Sequence, residues 1–151
     1  KNSLKYAPVL GWFGLRIGCI CVERGKRTQA IKSMVAAVNS GNSPAGQLII
    51  YPQVTRIAPG ASAPYKIGTA VLYQETGQTC IPTATNVGVF WPKYGILRQP
   101  GLAVIEFLPA IQPGLSNELF MHRLEEVIEQ SSNALLEEAA TDGFYPVGQD
   151  T

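Results

Sequence analysis

The chain has 151 residues, with 12 Lys plus Arg against 11 Asp plus Glu, a formal net charge of +1, and 46% hydrophobic against 15% charged residues. That length suits one domain of the usual ~100–200 residues and buries enough apolar surface for a real core. The balance excludes a disordered polar tail and a general polyanion binder, and 3 Cys are too few and too odd in number for a disulfide scaffold.

Residues 1–15 carry Tyr6, Trp12 and Phe13 with Pro8 and two glycines, and read as a short helix or loop packing on a core. The apolar run Tyr6 to Cys21 is broken by Pro8, Gly11, Gly14, Arg16 and Gly18, so it reads as neither a signal peptide nor a spanning helix. Arg16 to Glu23 holds Ile17, Ile20 and Val22 and stops at Gly25, the pattern of a buried strand. Cys19 and Cys21 lack Cys-x-x-Cys spacing and any His/Cys cluster. They read as small buried hydrophobes in a reducing compartment.

Thr28 to Asn39 places Ile31, Met34, Val35 and Val38 on one helical face opposite Lys32, with Thr28 as N-cap and Gly41 as stop. The Gly/Ser-rich stretch 39–46 is a loop. Gln47 to Tyr51 reads as a second buried strand, ended by Pro52, and the proline-rich stretch 57–64 as an irregular loop. A short helix is expected over Gly68–Thr76, closed by Gly77. Strands follow over Thr79–Asn86 and Leu102–Leu108, the latter with Ala103, Ile105 and Phe107 on one face.

Ser116 caps the longest helix, whose stripe is Phe120, Leu124, Val127, Ile128, Leu135 and Leu136, with Glu125, Glu126, Glu129 and Glu137 facing water. Alternating strands and helices predict one α/β domain with a mixed, partly parallel sheet flanked by helices. It occupies residues 1–140, and 141–151 form a loose tail.

In open α/β sheets, ligands bind beyond the carboxyl ends of strands. Two expected strands end in arginine, as Val22-Glu23-Arg24-Gly25 and as Tyr51-Pro52-Gln53-Val54-Thr55-Arg56. An arginine fork fits a phosphate or carboxylate, and Lys66 adds a third positive charge to such an anion site. There is no Gly-x-Gly-x-x-Gly, no Gly-Lys-Ser/Thr loop and no Gly-x-Ser-x-Gly elbow. The one histidine, His122, lies in the long helix without a serine or cysteine partner nearby in sequence, and reads as a surface residue.

The order of these motifs resembles the 1-acylglycerol-3-phosphate acyltransferases, the bacterial lysophosphatidate acyltransferase-like group of glycerolipid acyltransferases. Their second block matches Gly18-Cys19-Ile20-Cys21-Val22-Glu23-Arg24. The third, Phe-Pro-Glu-Gly-Thr-Arg, matches Tyr51-Pro52-Gln53-Val54-Thr55-Arg56. The Lys-Gly after it corresponds to Lys66 with Gly68, and the fourth, a strand with a central proline, to Cys80-Ile81-Pro82-Thr83-Ala84. Lys1-Asn2-Ser3-Leu4 with Pro8 and Gly11 resembles the segment from the first block to the second, and the resemblance covers nearly the whole chain from Lys1 to about Ala140. The family's first block, His-x4-Asp, has no match, and the resemblance places it ahead of Lys1, in an N-terminally incomplete domain.

The resemblance implies acyl transfer from an acyl thioester (acyl-CoA or acyl-carrier protein) to the free hydroxyl of a lysophospholipid, giving phosphatidate, by general-base catalysis without an acyl-enzyme. It implies no cofactor, no metal and no nucleic acid partner. It implies a membrane surface at the cytoplasmic face of the inner membrane, reached peripherally or through a segment outside this chain. It implies that Arg24 and Arg56, with Lys1, hold the acceptor phosphate, that Gln53 contacts the glycerol hydroxyl region, and that Thr55 supports the turn.

Glu23 replaces the family's Asp and keeps its charge, whereas Gln53 replaces Glu and loses it. Val54 stands where the family has Gly, so either the turn has ordinary dihedrals or the site is altered. Two further readings follow: a non-catalytic lipid- or anion-binding module, or an acyltransferase for another lyso-lipid such as lyso-ornithine lipid.

Overall fold

Helical periodicity decides most of the architecture. The computed structural model describes residues 12, 13, 16, 27–39, 48–91 and 98–145. Helix α1 covers Arg27–Asn39. Ile31, Met34 and Val35 are half-buried and Lys32 is exposed, the expected division between faces. Helix α2 covers Gly68–Thr76 and ends at Gly77, whose φ of 58° is the left-handed cap. Gly77 donates its N–H to Tyr73 O at 3.1 Å and satisfies a carbonyl that the helix end leaves free. Helix α1 packs on α2, with Ile31 lying over Gly68.

Strand β1 (Thr83–Thr85) pairs antiparallel with β2 (Ile105–Phe107), Thr83 facing Phe107 and Thr85 facing Ile105. The ribbon runs on through Leu108 N–H to Pro82 O (2.9 Å) and the mutual bonds of Cys80 and Ile111 (2.9 and 2.8 Å). Pro82 can sit at the head of β1 because only its carbonyl is used. A single-turn helix α3, Val87–Phe90, follows. Buried Asn86 closes the ribbon's far end: its Nδ2 donates to Leu102 O and its Oδ1 accepts from Val104 N–H at 2.7 Å.

Helix α4, Asn117–Thr141, is capped as expected by Ser116, whose Oγ accepts from Leu119 N–H at 3.3 Å. Glu118 in its first turn suits the positive end of the helix dipole. It packs on β1 and α2. Phe120, Leu124 and Leu135 are buried along its apolar stripe. Phe120 is fully enclosed and stacks on Tyr73 with centroids 3.9 Å apart at 9°, beside Ala70, Ile111 and Leu124. The Tyr73 hydroxyl stays satisfied by donating to Gln112 O and accepting from Leu115 N–H. Beyond α4, Phe144 N–H donates to Ala139 O (2.8 Å) and the Phe144 ring meets Phe90 edge-on at 5.4 Å.

Several expectations need correction. Arg16 is helical, with its guanidinium 5.1 Å from the Trp12 ring, so no strand starts there. Trp12 and Phe13 are more than half exposed, so neither ring packs on a core. Residues 48–51 form no strand. They have no ladder partner among the described residues, and a strand without one cannot pair its backbone groups. Leu48 to Tyr51 are accordingly exposed rather than buried.

The one sheet among the described residues is the antiparallel β1–β2 pair. The expected parallel pairing rested on residues 17–23, which lie outside the described residues, and on the 48–51 run, which forms no ladder. All three residues of β2 are exposed, Ile105 and Phe107 among them, because α4 packs on β1 instead.

Candidate functional site

Proline and the residues after it shape the Tyr51–Arg56 segment. Pro52 sits second in a four-residue turn, where its fixed φ is favourable, and Val54 N–H closes the turn on Tyr51 O at 3.0 Å. Val54 then has φ 64°. Ordinary dihedrals are therefore excluded at this position. The turn has the left-handed geometry that suits glycine, and a β-branched side chain occupies it under strain.

Two tethers hold the turn. Lys66 N–H donates to Pro52 O at 2.9 Å, while Lys66 O accepts from Thr69 N–H at 3.1 Å. One residue thus stitches the turn to the first turn of α2. The second tether comes from α4: Glu129 Oε1 accepts from the Tyr65 hydroxyl at 2.8 Å and, over a long 3.5 Å, from Gln53 Nε2. Burial and the Glu129 carboxylate, which the hydroxyl bonds and which repels a phenolate, push the Tyr65 pKa well above the usual tyrosine range, so Tyr65 stays a donor.

Gln53 is half-buried at the base of the turn, while Thr55, Arg56 and Lys66 are exposed. The Thr55 hydroxyl has no hydrogen-bond partner among the described residues. Neither Arg56 nor Lys66 meets a carboxylate among them, where the single ion pair is His122 with Glu126. Among the described residues, both cations therefore remain available to an anion. Lys1, Glu23 and Arg24 lie outside the described residues.

Glu129 was expected to face water, but it is half-buried against Gln53 and Tyr65. Nothing in the sequence separates it from the other glutamates of α4. Tyr65 was missed because Pro64 and Lys66 flank it in a stretch without periodicity.

His122 is where the sequence suggested, on the surface: its side chain is 80% exposed, with Nδ1 4.0 Å from Glu126 Oε2. Burial raises the Cys80 thiol pKa, which disfavours the thiolate a nucleophile needs. Among the described residues no three His, Cys, Asp or Glu side chains group as metal ligands, and no helix is long and apolar enough to cross a membrane.

Among the described residues, Arg56 on this turn and Lys66 beside it meet no carboxylate, and the turn is tied to α2 and α4. Residues 1–86 match the family described as Acyltransferase, and the chain belongs to that family. It is similar to the 1-acyl-sn-glycerol-3-phosphate acyltransferase of Pseudomonas aeruginosa, 28% identical over 111 residues, covering 74% of this chain and 43% of the relative. It is likewise similar to the enzyme of that name from Saccharomyces cerevisiae, 27% identical over 158 residues, covering 100% of this chain and 50% of the relative. The chain spans about half the length of these curated relatives. No solved structure matches it. The matched family region contains the Tyr51–Arg56 turn and Lys66, and α4 lies beyond it.

Proposed function

We propose that this chain supplies the acceptor-binding part of an enzyme that acylates a lysophospholipid, converting 1-acylglycerol-3-phosphate to phosphatidate. The observation that carries this reading is the pair of exposed cations, Arg56 and Lys66, on segments joined by the Lys66 N–H to Pro52 O bond. Arg56 offers a bidentate fork to phosphate and Lys66 a compact charge, with Arg24 and Lys1 assigned to the same anion.

The acceptor hydroxyl attacks the thioester carbonyl. A C–O bond forms, the C–S bond breaks, a general base takes the hydroxyl proton and the thiolate leaves as a thiol. His122 lacks the setting for that base, which this reading assigns to a His-x4-Asp block ahead of Lys1. The donor is acyl-CoA or acyl-carrier protein. The acceptor is met at a membrane surface, on the cytoplasmic face of the inner membrane, where the anionic headgroup matches the two cations.

The test is thioester consumption by the whole protein with lysophosphatidate, beside the same assay on the 151-residue stretch alone. The whole protein should turn over and the stretch should not. Arg56→Ala and Arg24→Ala should each raise KM for the phosphate-bearing acceptor by about tenfold, the loss of a charge-assisted bond. Unchanged KM in both variants overturns phosphate recognition. Turnover with lyso-ornithine lipid alone reassigns the acceptor, and binding of lysophosphatidate without turnover by the whole protein makes it a binding module.

A further inference from the structure

We infer that Glu129 is a positioning residue for acceptor binding: from helix α4, outside the matched family region, its carboxylate holds the Tyr51–Arg56 turn in its strained, left-handed form. The inference rests on the reading of that turn as the acceptor site.

Val54 at φ 64° favours relaxation of the turn, so something must oppose it. Within the turn there is one backbone bond, Val54 N–H to Tyr51 O. Lys66 secures Pro52 through the backbone but not the residues after it. Glu129 acts on the next residue, since its Oε1 accepts from Gln53 immediately before Val54. The 2.8 Å bond from Tyr65 orients that carboxylate and secures the residue preceding Lys66 as well. One oxygen on a 25-residue helix therefore fixes both strands of chain that carry the cations. Glu129 also accounts for an amide at position 53. A carboxylate there would stand about 3.5 Å from a second one, where like charges disfavour joint ionisation.

The experiment uses the whole protein and compares Glu129→Ala, Glu129→Gln, Gln53→Ala and the Gln53→Ala/Glu129→Ala double. KM and kcat for lysophosphatidate are measured, together with amide hydrogen exchange. Glu129→Ala should raise KM about five- to tenfold with a smaller change in kcat, as expected when the short Tyr65 bond and the long Gln53 bond to one carboxylate are both lost. Glu129→Gln keeps an oxygen that accepts from Tyr65 and should recover most of that loss. The double should be no worse than the poorer single, because both changes remove one coupling.

In Glu129→Ala the Val54 and Lys66 amides should exchange about tenfold faster while Val71 in α2 does not change. If Glu129→Ala folds poorly, Tyr65→Phe removes the same orienting bond without touching α4 and should move KM in the same direction. Unchanged KM in Glu129→Ala, additive losses in the double, or Glu129→Gln as impaired as Glu129→Ala each overturn the inference. Absence of any transfer to lysophosphatidate by the unmodified protein defeats the acceptor reading instead, and the exchange of Val54 and Lys66 then decides the positioning on its own.

Discussion

Helix α4 serves two regions of opposite character. Near its N-terminus, Phe120 is fully enclosed and stacks on Tyr73, so stability there comes from apolar area and shape. About two and a half turns further on, Glu129 reaches a turn whose Val54 is 66% exposed and whose backbone is strained. Removing a side chain should therefore have opposite signs in the two regions. In the core each lost atom leaves a cavity, whereas at position 54 the side chain itself is the source of strain.

The largest expected effect is in the core. Phe120→Ala should cost about 3–5 kcal/mol, because Phe120 is fully buried and Tyr73 cannot fill its place. Urea unfolding measures it, and a loss under ~1 kcal/mol would mean the two rings do not form the core's centre. Next is Asn86→Ala, which strands the Val104 N–H and the Leu102 carbonyl at the end of the β1–β2 ribbon. Its expected cost is about 1–3 kcal/mol.

Val54→Gly should do the reverse and stabilise by about 1 kcal/mol. Relief of a left-handed β-branched residue exceeds the extra unfolded-state freedom of glycine. The gain reads as a melting temperature about 2–4 °C higher. A melting temperature lowered by Val54→Gly would show that the Val54 side chain makes a contact worth more than its strain, and the contrast between the regions would fail.

The same contrast explains what was legible in the sequence. The α2 helix and its Gly77 cap, the Ser116 cap and the stripe from Phe120 to Leu135 all follow from local periodicity and capping chemistry, which need no distant partner. The Leu48–Tyr51 run misled because a strand exists only with a neighbour, and neighbours are not local information. At the site, Arg56, Lys66 and the anomalous Val54 stood out by residue type and position. Glu129 and Tyr65 did not. They are separated by 64 residues, and their meeting depends on how α4 packs. The exposure of Ile105 and Phe107 was undecidable for a similar reason, since alternation does not show which strand of a pair a helix will cover.

The smallest expected effect tests whether His122 takes part in the proposed chemistry. His122 is the one histidine of the chain, so an acyltransferase reading must say what it does. Its side chain is 80% exposed, and Glu126 at 4.0 Å is an i,i+4 surface neighbour rather than an orienting carboxylate in a closed site. Such pairs contribute at most about 0.5 kcal/mol. His122→Ala should therefore leave stability within that margin, and should leave both kcat and its pH profile in the whole protein where they were. A kcat lowered a hundredfold or more, with the acidic limb of the profile lost, would make His122 the base after all. The acceptor turn and the C-terminal helix would then have to form one catalytic site, with Glu129 holding the acceptor and His122 deprotonating it.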